Sequence, residues 1–188
     1  MEPADEALCA GVARRDEAAF DLLVSRYQER AYRLAWSILR NAEDARDVSQ
    51  EAFIRLYETA GSFRGRSKFS TWFYRILVNL CLDHKRKHKW WRLWLRDDDE
   101  VERSETILDR QPAPVNDPVD KLSREETLKA LGSAVDRLAP RQRAAVLLRV
   151  QEDMATYDIA RVLKCSEATV RVHLHRALAT LKKTVEKR

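Results

Sequence analysis

Thr156-Tyr-Asp-Ile-Ala-Arg-Val-Leu-Lys-Cys-Ser-Glu-Ala-Thr-Val-Arg-Val-His-Leu-His175 is the stretch on which the reading of the chain turns. Ile159, Ala160 and Leu163 fall at helical spacing on one short segment, and Lys164-Cys165 marks a turn. Ser166 is placed to cap a second helix, with Val170, Leu174 and Leu178 as its buried stripe. The pattern predicts a helix-turn-helix. The small Ala160 lets the two helices approach closely, which leaves the outer face of the second free to enter a DNA major groove. Ser166, Glu167, Thr169, Arg171, Val172, His175 and Arg176 lie away from the stripe. Arg171 and Arg176 suit guanine edges or phosphates, and Val172 suits a thymine methyl. Lys182, Lys183, Lys187 and Arg188 prolong the basic track. Any packed helical hairpin has similar spacing, so the meaning of the motif depends on what surrounds it.

Upstream of the motif, Pro140 is suited to the first turn of a helix, with Ala144, Val146, Leu147 and Val150 expected inside. Leu122, Leu128, Leu131, Val135 and Leu138 predict a helix before it. Together these make a small four-helix block over residues 121–188. Residues 96–120 are acidic, carry Pro112, Pro114 and Pro118 and lack periodicity, so they read as a flexible linker.

Residues 1–95 read as a second helical block. Phe20, Leu22, Leu23, Tyr27, Tyr32, Leu34, Ala35, Ile38 and Leu39 predict one amphipathic helix, and Asn41 a break. Ala45, Val48, Ala52, Phe53, Leu56 and Tyr57 predict the next. Gly61 and Gly65 bracket a loop, and a long third helix starts at Ser70 or Thr71, with Phe73, Ile76, Leu77, Leu80 and Cys81 inward. With only 4 glycines and 5 prolines in 188 residues, and no sustained alternating pattern, the fold class is all-α: two small helical domains and a linker.

Charge is distributed unevenly. The net charge is +5, but residues 61–96 carry ten basic residues against Asp83 alone, and 97–109 carry seven acids against Arg103 alone. That split points to two surfaces for two kinds of partner. Arg75, Asn79, Asp83 and Arg86 recur on one side of the third helix, where Asn and Arg suit base edges and phosphates. A solvated face with ordinary ion pairs has the same spacing. Phe63, Trp72, Phe73 and Tyr74 lie near Arg64, Arg66 and Lys68, as stacking platforms beside phosphate-binding charge do; half of these aromatics are expected in the core. Glu43, Asp44, Asp47, Gln50 and Glu51 crowd the start of the second helix, which suits either its dipole or a basic protein surface.

Cys9, Cys81 and Cys165 match no common zinc spacing with His84, His88 or His173, so no metal site and no cofactor is expected, and the thiols read as small buried residues. No apolar run approaches the ~20 residues of a membrane span, and the start of the chain has no signal-peptide pattern. The tryptophans of Lys89-Trp90-Trp91-Arg92-Leu93-Trp94 fit burial against the first block, a partner or nucleic acid.

Taken together, the two blocks resemble the extracytoplasmic-function sigma factors of bacteria. Asp44-Ala-Arg-Asp-Val-Ser-Gln-Glu-Ala-Phe-Ile-Arg-Leu-Tyr57, Ser62-Phe-Arg-Gly65, Phe69-Ser-Thr-Trp-Phe-Tyr-Arg-Ile76, Asn79 and Asp83 are similar to region 2. Leu138-Ala-Pro-Arg-Gln-Arg143 and the helix-turn-helix through Ala177 are similar to region 4. The resemblance implies a cytoplasmic, non-enzymatic promoter-specificity subunit, with core RNA polymerase and promoter DNA as partners and no small-molecule substrate. It implies an anti-sigma factor too, soluble or anchored at the inner membrane. Asp44, Asp47, Gln50 and Glu51 would dock on the polymerase. Phe63, Arg64, Arg66, Lys68, Thr71, Trp72, Arg75, Asn79, Asp83 and Arg86 would hold −10 DNA. Arg149, Ser166, Glu167, Thr169, Arg171, Val172, His175 and Arg176 would read the −35 duplex. The acidic linker would thread the polymerase RNA path. Lys164 stands where the family usually has glycine, which implies either a left-handed conformation at a small cost or an altered turn.

Two other readings differ in what they require. A free-standing helix-turn-helix regulator would need a ligand pocket or dimer interface in the first block. A nuclease would need a second acidic or His cluster to complete a metal site beside the acids of Glu43 to Glu51, and the sequence offers none.

Overall fold

The computed structural model describes residues 3–94 and 131–186, with side chains over 3–87 and 131–183. The linker, Leu122 and Leu128, the side chains of Trp90, Trp91 and Trp94, and the terminal Lys187 and Arg188 lie outside the described residues. Among those described there is no strand.

Four helices build the first half: α1 (Asp5–Ala13), α2 (Glu17–Leu39), α3 (Ala42–Thr59) and α4 (Phe69–Trp94), with a short 3₁₀ turn at Ala60–Ser62. Hydrophobic periodicity alone does not separate α1 from α2. Gly11 is what lets α1 pack: a Cβ there would lie 2.7 Å from the Ala19 Cβ of α2. Asp16 caps α2 by accepting from the Ala19 amide, and Arg40 ends it in the left-handed region at φ 60°. Asn41 then caps α3 by accepting from the Asp44 amide, so the predicted break is a two-residue corner. Leu23, Tyr27, Leu34, Ile38, Leu56, Phe69, Phe73 and Leu77 fill the centre. Tyr27 meets Phe69 and Phe73 edge-on at 5.3 and 5.4 Å. Its hydroxyl donates to Asp5, which ties α1 down as well.

The second half comprises α5 (described over 131–136), α6 (Pro140–Val150), α7 (Thr156–Leu163) and α8 (Glu167–Glu186). Two inward assignments are corrected. Val150 is 74 % exposed, because at 100° per residue it stands roughly 120° around the helix from Ala144. Arg143, Ala144, Ala145, Leu147 and Leu148 face inward instead. Leu178 is 63 % exposed, since the stripe begun at Val170 passes through the half-buried Leu174 and the buried Ala177.

The two halves share one continuous core. α7 lies along α4, the most extensive packing between them, and α6 touches α2 and α4.

Candidate nucleic-acid interface

The first candidate surface is the loop after the 3₁₀ turn and the start of α4. Gly65 takes φ +65°, which turns the chain back so that Phe63 packs on Trp72 with ring centroids 5.4 Å apart. Phe63 and Trp72 are half-buried, whereas Phe73 and Tyr74 belong to the core. The aromatic cluster thus divides evenly between platform and core. Arg64, Arg66, Lys68 and Arg75 are exposed around the platform. Further along α4, Asn79 is half-exposed and donates to the Arg75 carbonyl at 2.6 Å, and Asp83 holds Arg86 at 3.1 Å.

Thr71 is placed differently from its neighbours. It is 2 % exposed, and its hydroxyl donates to the Asp158 carboxylate of α7 at 3.0 Å. Nearby, Arg161 of α7 donates to the Arg66 carbonyl and stacks over Tyr157. A cleft of about 500 Å³ runs between the halves here, lined by Phe63, Arg64, Arg66, Trp72 and Arg75 on one side and Arg161 and Lys164 on the other.

The acidic face of α3 is a second, separate surface. Asp47 and Gln50 are both exposed, and Gln50 also lines a shallow groove between α2 and α3 with Phe20, Val24, Tyr32 and Phe53. Glu51 pairs with Arg55 at 2.7 Å, and Asp44 lies 3.4 Å from the His84 ring of α4.

The helix-turn-helix forms the third. Lys164 ends α7 at φ 51° in the left-handed region, one of the two outcomes expected where glycine is usual. Ser166 accepts from the Thr169 amide at 3.1 Å and so caps α8. Arg171, Val172, His175 and Arg176 project outward together, with Val172 45 % exposed. Glu167 holds Arg171 at 3.2 Å, which keeps the guanidinium extended along the face. His173 points the other way. Its buried Nδ1 has no partner, and burial, with Arg141 and Arg176 adding to it, lowers its pKa. Arg149 extends from the end of α6 and donates to the Met154 carbonyl at 3.0 Å.

Local spacing assigns no role to the residues that join the halves. Arg143 is only 4 % exposed and donates to the Ile38 carbonyl at the end of α2 and to the Val135 and Asp136 carbonyls. Arg30 of α2 pairs with the buried side chain of Glu152 at 2.6 Å. Gln151 donates to Ser37, and Arg40 pairs with Asp136 at 2.5 Å. The bonds between the halves join residues from 87 to 122 positions apart, a separation that no local pattern encodes. The one signal in the sequence is Arg143, a charge at an inward position of its helix.

A family model described as Sigma-70 region 2 matches residues 23–91, and one described as Sigma-70, region 4 matches residues 128–181. The chain is 33 % identical over 186 residues to the RNA polymerase sigma-H factor of Pseudomonas aeruginosa, covering 97 % of this chain and 94 % of that one. It is 32 % identical over 174 residues to the ECF RNA polymerase sigma factor SigW of Bacillus subtilis, covering 92 % and 91 %. Among solved structures, CnrH in complex with the cytosolic domain of CnrY has a similar fold, with a TM-score of 0.69 at 23 % identity over 98 % of this chain and 99 % of that one.

Proposed function

The chain belongs to the extracytoplasmic-function branch of the sigma-70 family, and from that premise we propose how its parts divide the work of promoter recognition. It is an alternative sigma factor that joins core RNA polymerase and directs promoter-specific initiation. Residues 121–188 read the −35 duplex by laying α8 in the major groove. Arg171 and Arg176 approach base edges or phosphates, Val172 a thymine methyl, and Ser166, Glu167, Thr169, His175 and Arg149 border the contact. Residues 1–95 take the −10 element as separated strands. An extruded base enters beside Phe63 and Trp72, the flanking arginines hold phosphates, and Asn79 reads a base edge. That capture offsets an unstacking cost of a few kcal/mol. The reading requires no bond-making step.

The observation that carries this reading is the pairing of two unlike nucleic-acid surfaces in one chain. One is a capped helix with an outward arginine–valine–histidine face, suited to duplex. The other is an aromatic pair ringed by arginines, suited to single strands. A free-standing regulator has no use for the second. Asp44, Asp47, Gln50 and Glu51 on α3 serve as the docking face for a basic surface of the polymerase. Residues 96–120 connect the two readers and pass along the RNA path. CnrH, of similar fold, is solved with the cytosolic domain of CnrY, and we assign this chain an anti-sigma partner of its own. None of its described helices is long and apolar enough to cross a membrane, and we place it in the cytoplasm.

The test is reconstitution. Purified chain added to core polymerase yields transcripts with discrete 5′ ends on genomic DNA, and the aligned start sites define both promoter elements. Absence of chain-dependent starts on every template refutes the assignment.

A further inference from the structure

Asp5 and Glu6 open α1 and precede residues 23–91, the stretch that matches region 2. Acids in a first turn complement the dipole of their own helix, which is reason enough for their presence. Both side chains nevertheless bond to other helices. The Asp5 carboxylate accepts from the Tyr27 hydroxyl at 2.6 Å and pairs with Arg26 at 2.6 Å. The exposed Glu6 carboxylate accepts from the Phe69 amide at 3.0 Å, across 63 positions of chain. Phe69 is the first residue of α4. The first bond inside that helix runs from the Trp72 amide to the Lys68 carbonyl, which makes Lys68 the N-cap. A lysine side chain carries no acceptor, so it offers the opening amides no partner. Glu6 supplies one from another helix, and its charge suits the N-terminal end of the α4 dipole.

The capped residue is the one on which the strand platform rests. The Phe69 ring is fully buried and lies 6.2 Å from the Phe63 ring and 6.1 Å from the Trp72 ring. Tyr27, which Asp5 holds, meets the same ring edge-on at 5.3 Å. α1 therefore grips Phe69 twice, at its amide and through Tyr27. It also packs on the 3₁₀ turn, so it holds both ends of the loop from Phe63 to Lys68. We propose that Glu6 is a positioning residue for −10 recognition: by capping α4 from α1 it sets the pose of Phe63 and Trp72 toward an extruded base, without touching DNA itself. The inference rests on the strand-capture reading above. Charge alone makes the opposite prediction. Glu6 is an acid bonded to the start of the helix whose loop carries Arg64, Arg66 and Lys68, so its removal as a mere charge should tighten the binding of every strand.

The experiment uses holoenzyme reconstituted from core polymerase and the full-length chain, unaltered or carrying E6A or E6Q. The probes are a fluorescent single-stranded oligonucleotide with the mapped −10 sequence, the same strand with its −10 bases permuted, and a duplex with the −35 sequence of the same promoter. Glutamine keeps an acceptor for the Phe69 amide and drops the charge, whereas alanine removes both. Loss of one cap predicts roughly fivefold weaker binding of the −10 strand by the E6A holoenzyme, with the permuted strand and the duplex held within about twofold. E6Q should stay within about twofold of the unaltered protein on all three probes. A role in overall stability would weaken all three probes together, and a role of charge alone would make E6A and E6Q behave alike. Either result overturns the proposal, as does an E6A holoenzyme that keeps its full preference for the −10 strand. Failure of the strand-capture reading looks different: the unaltered holoenzyme then binds the two strands equally, and the pose that Glu6 is proposed to set has no function to serve.

Discussion

Lys164 carries a backbone cost that its side chain does not repay locally. Left-handed geometry costs a residue with a Cβ about 1–2 kcal/mol, and glycine avoids that cost while losing some of the gain to its freer unfolded state. Lys164→Gly is expected to stabilise the protein by about 0.5–1 kcal/mol in urea unfolding. Gly11 is held by space instead. An added methyl would sit 2.7 Å from the Ala19 Cβ, and neither helix has a flexible group there to yield. Overpacking of about 1–3 kcal/mol outweighs the helix-propensity gain of about 1 kcal/mol that alanine would bring. The thiols divide by environment too. Burial, with the Glu6 charge adding to it, pushes Cys9 up to about 11, and burial pushes Cys81 up to about 12. Both are fully buried, whereas Cys165 is half-buried in the turn of the helix-turn-helix. At pH 8 a thiol reagent should modify Cys165 quickly and the other two only after denaturant is added.

At the scale of the element, the helix-turn-helix was legible because its determinants are local. The Ser166 cap and the small Ala160 act within a few residues and form as the spacing implies, and Lys164 takes the left-handed of the two turns that the resemblance allowed. What spacing missed in the same block was how far the packing extends. Val150 and Leu178 are apolar residues beyond the reach of a neighbour, and hydrophobicity alone could not distinguish them from the stripe. On the exposed face of α8, Arg171→Ala should cost about 1–3 kcal/mol in −35 duplex binding and relax preference at one base pair, as the loss of a base contact does. A uniform loss across all duplexes, with a shallower salt dependence, would instead make Arg171 a phosphate contact. The inner face makes its own pH prediction. His173 has a pKa lowered by burial first and then by Arg141 and Arg176, so between the folded and unfolded values the unfolded chain binds more protons. Stability should therefore be flat above the ordinary histidine value of about 6.5 and fall as the pH drops below it. His173→Gln should remove that decline, as read by melting temperature across pH.

At the scale of the whole molecule, the seam between the two halves was not legible because its bonds join residues far apart in sequence, and a buried arginine looks the same in sequence as a solvated one. Arg143 shows what the seam depends on. Its guanidinium donates across the interface to the Ile38 carbonyl and within its own half to Val135, and burial lowers its pKa even though Asp136 lies 3.7 Å away. Arg143→Met keeps much of the volume and removes every donor. It takes the donor from three carbonyls, of which Val135 still accepts from the Leu138 amide, so the loss falls on Ile38 and Asp136 and comes to about 2–6 kcal/mol when each buried acceptor costs about 1–3 kcal/mol. Arg40 still pairs with Asp136, so the loss falls on the seam rather than on that acid. The effect can be assigned to the seam because all 5 tryptophans, from Trp36 to Trp94, lie in the first half of the sequence. Tryptophan fluorescence reports on that half alone, while far-UV circular dichroism reports on both. One continuous core predicts a single urea transition with coincident probes for the unaltered protein. In Arg143→Met the fluorescence and dichroism curves should separate, with the second half unfolding first, because it is the smaller and carries fewer buried large side chains of its own. Coincident curves at a lower midpoint would place the work of Arg143 within the second half instead of across the seam.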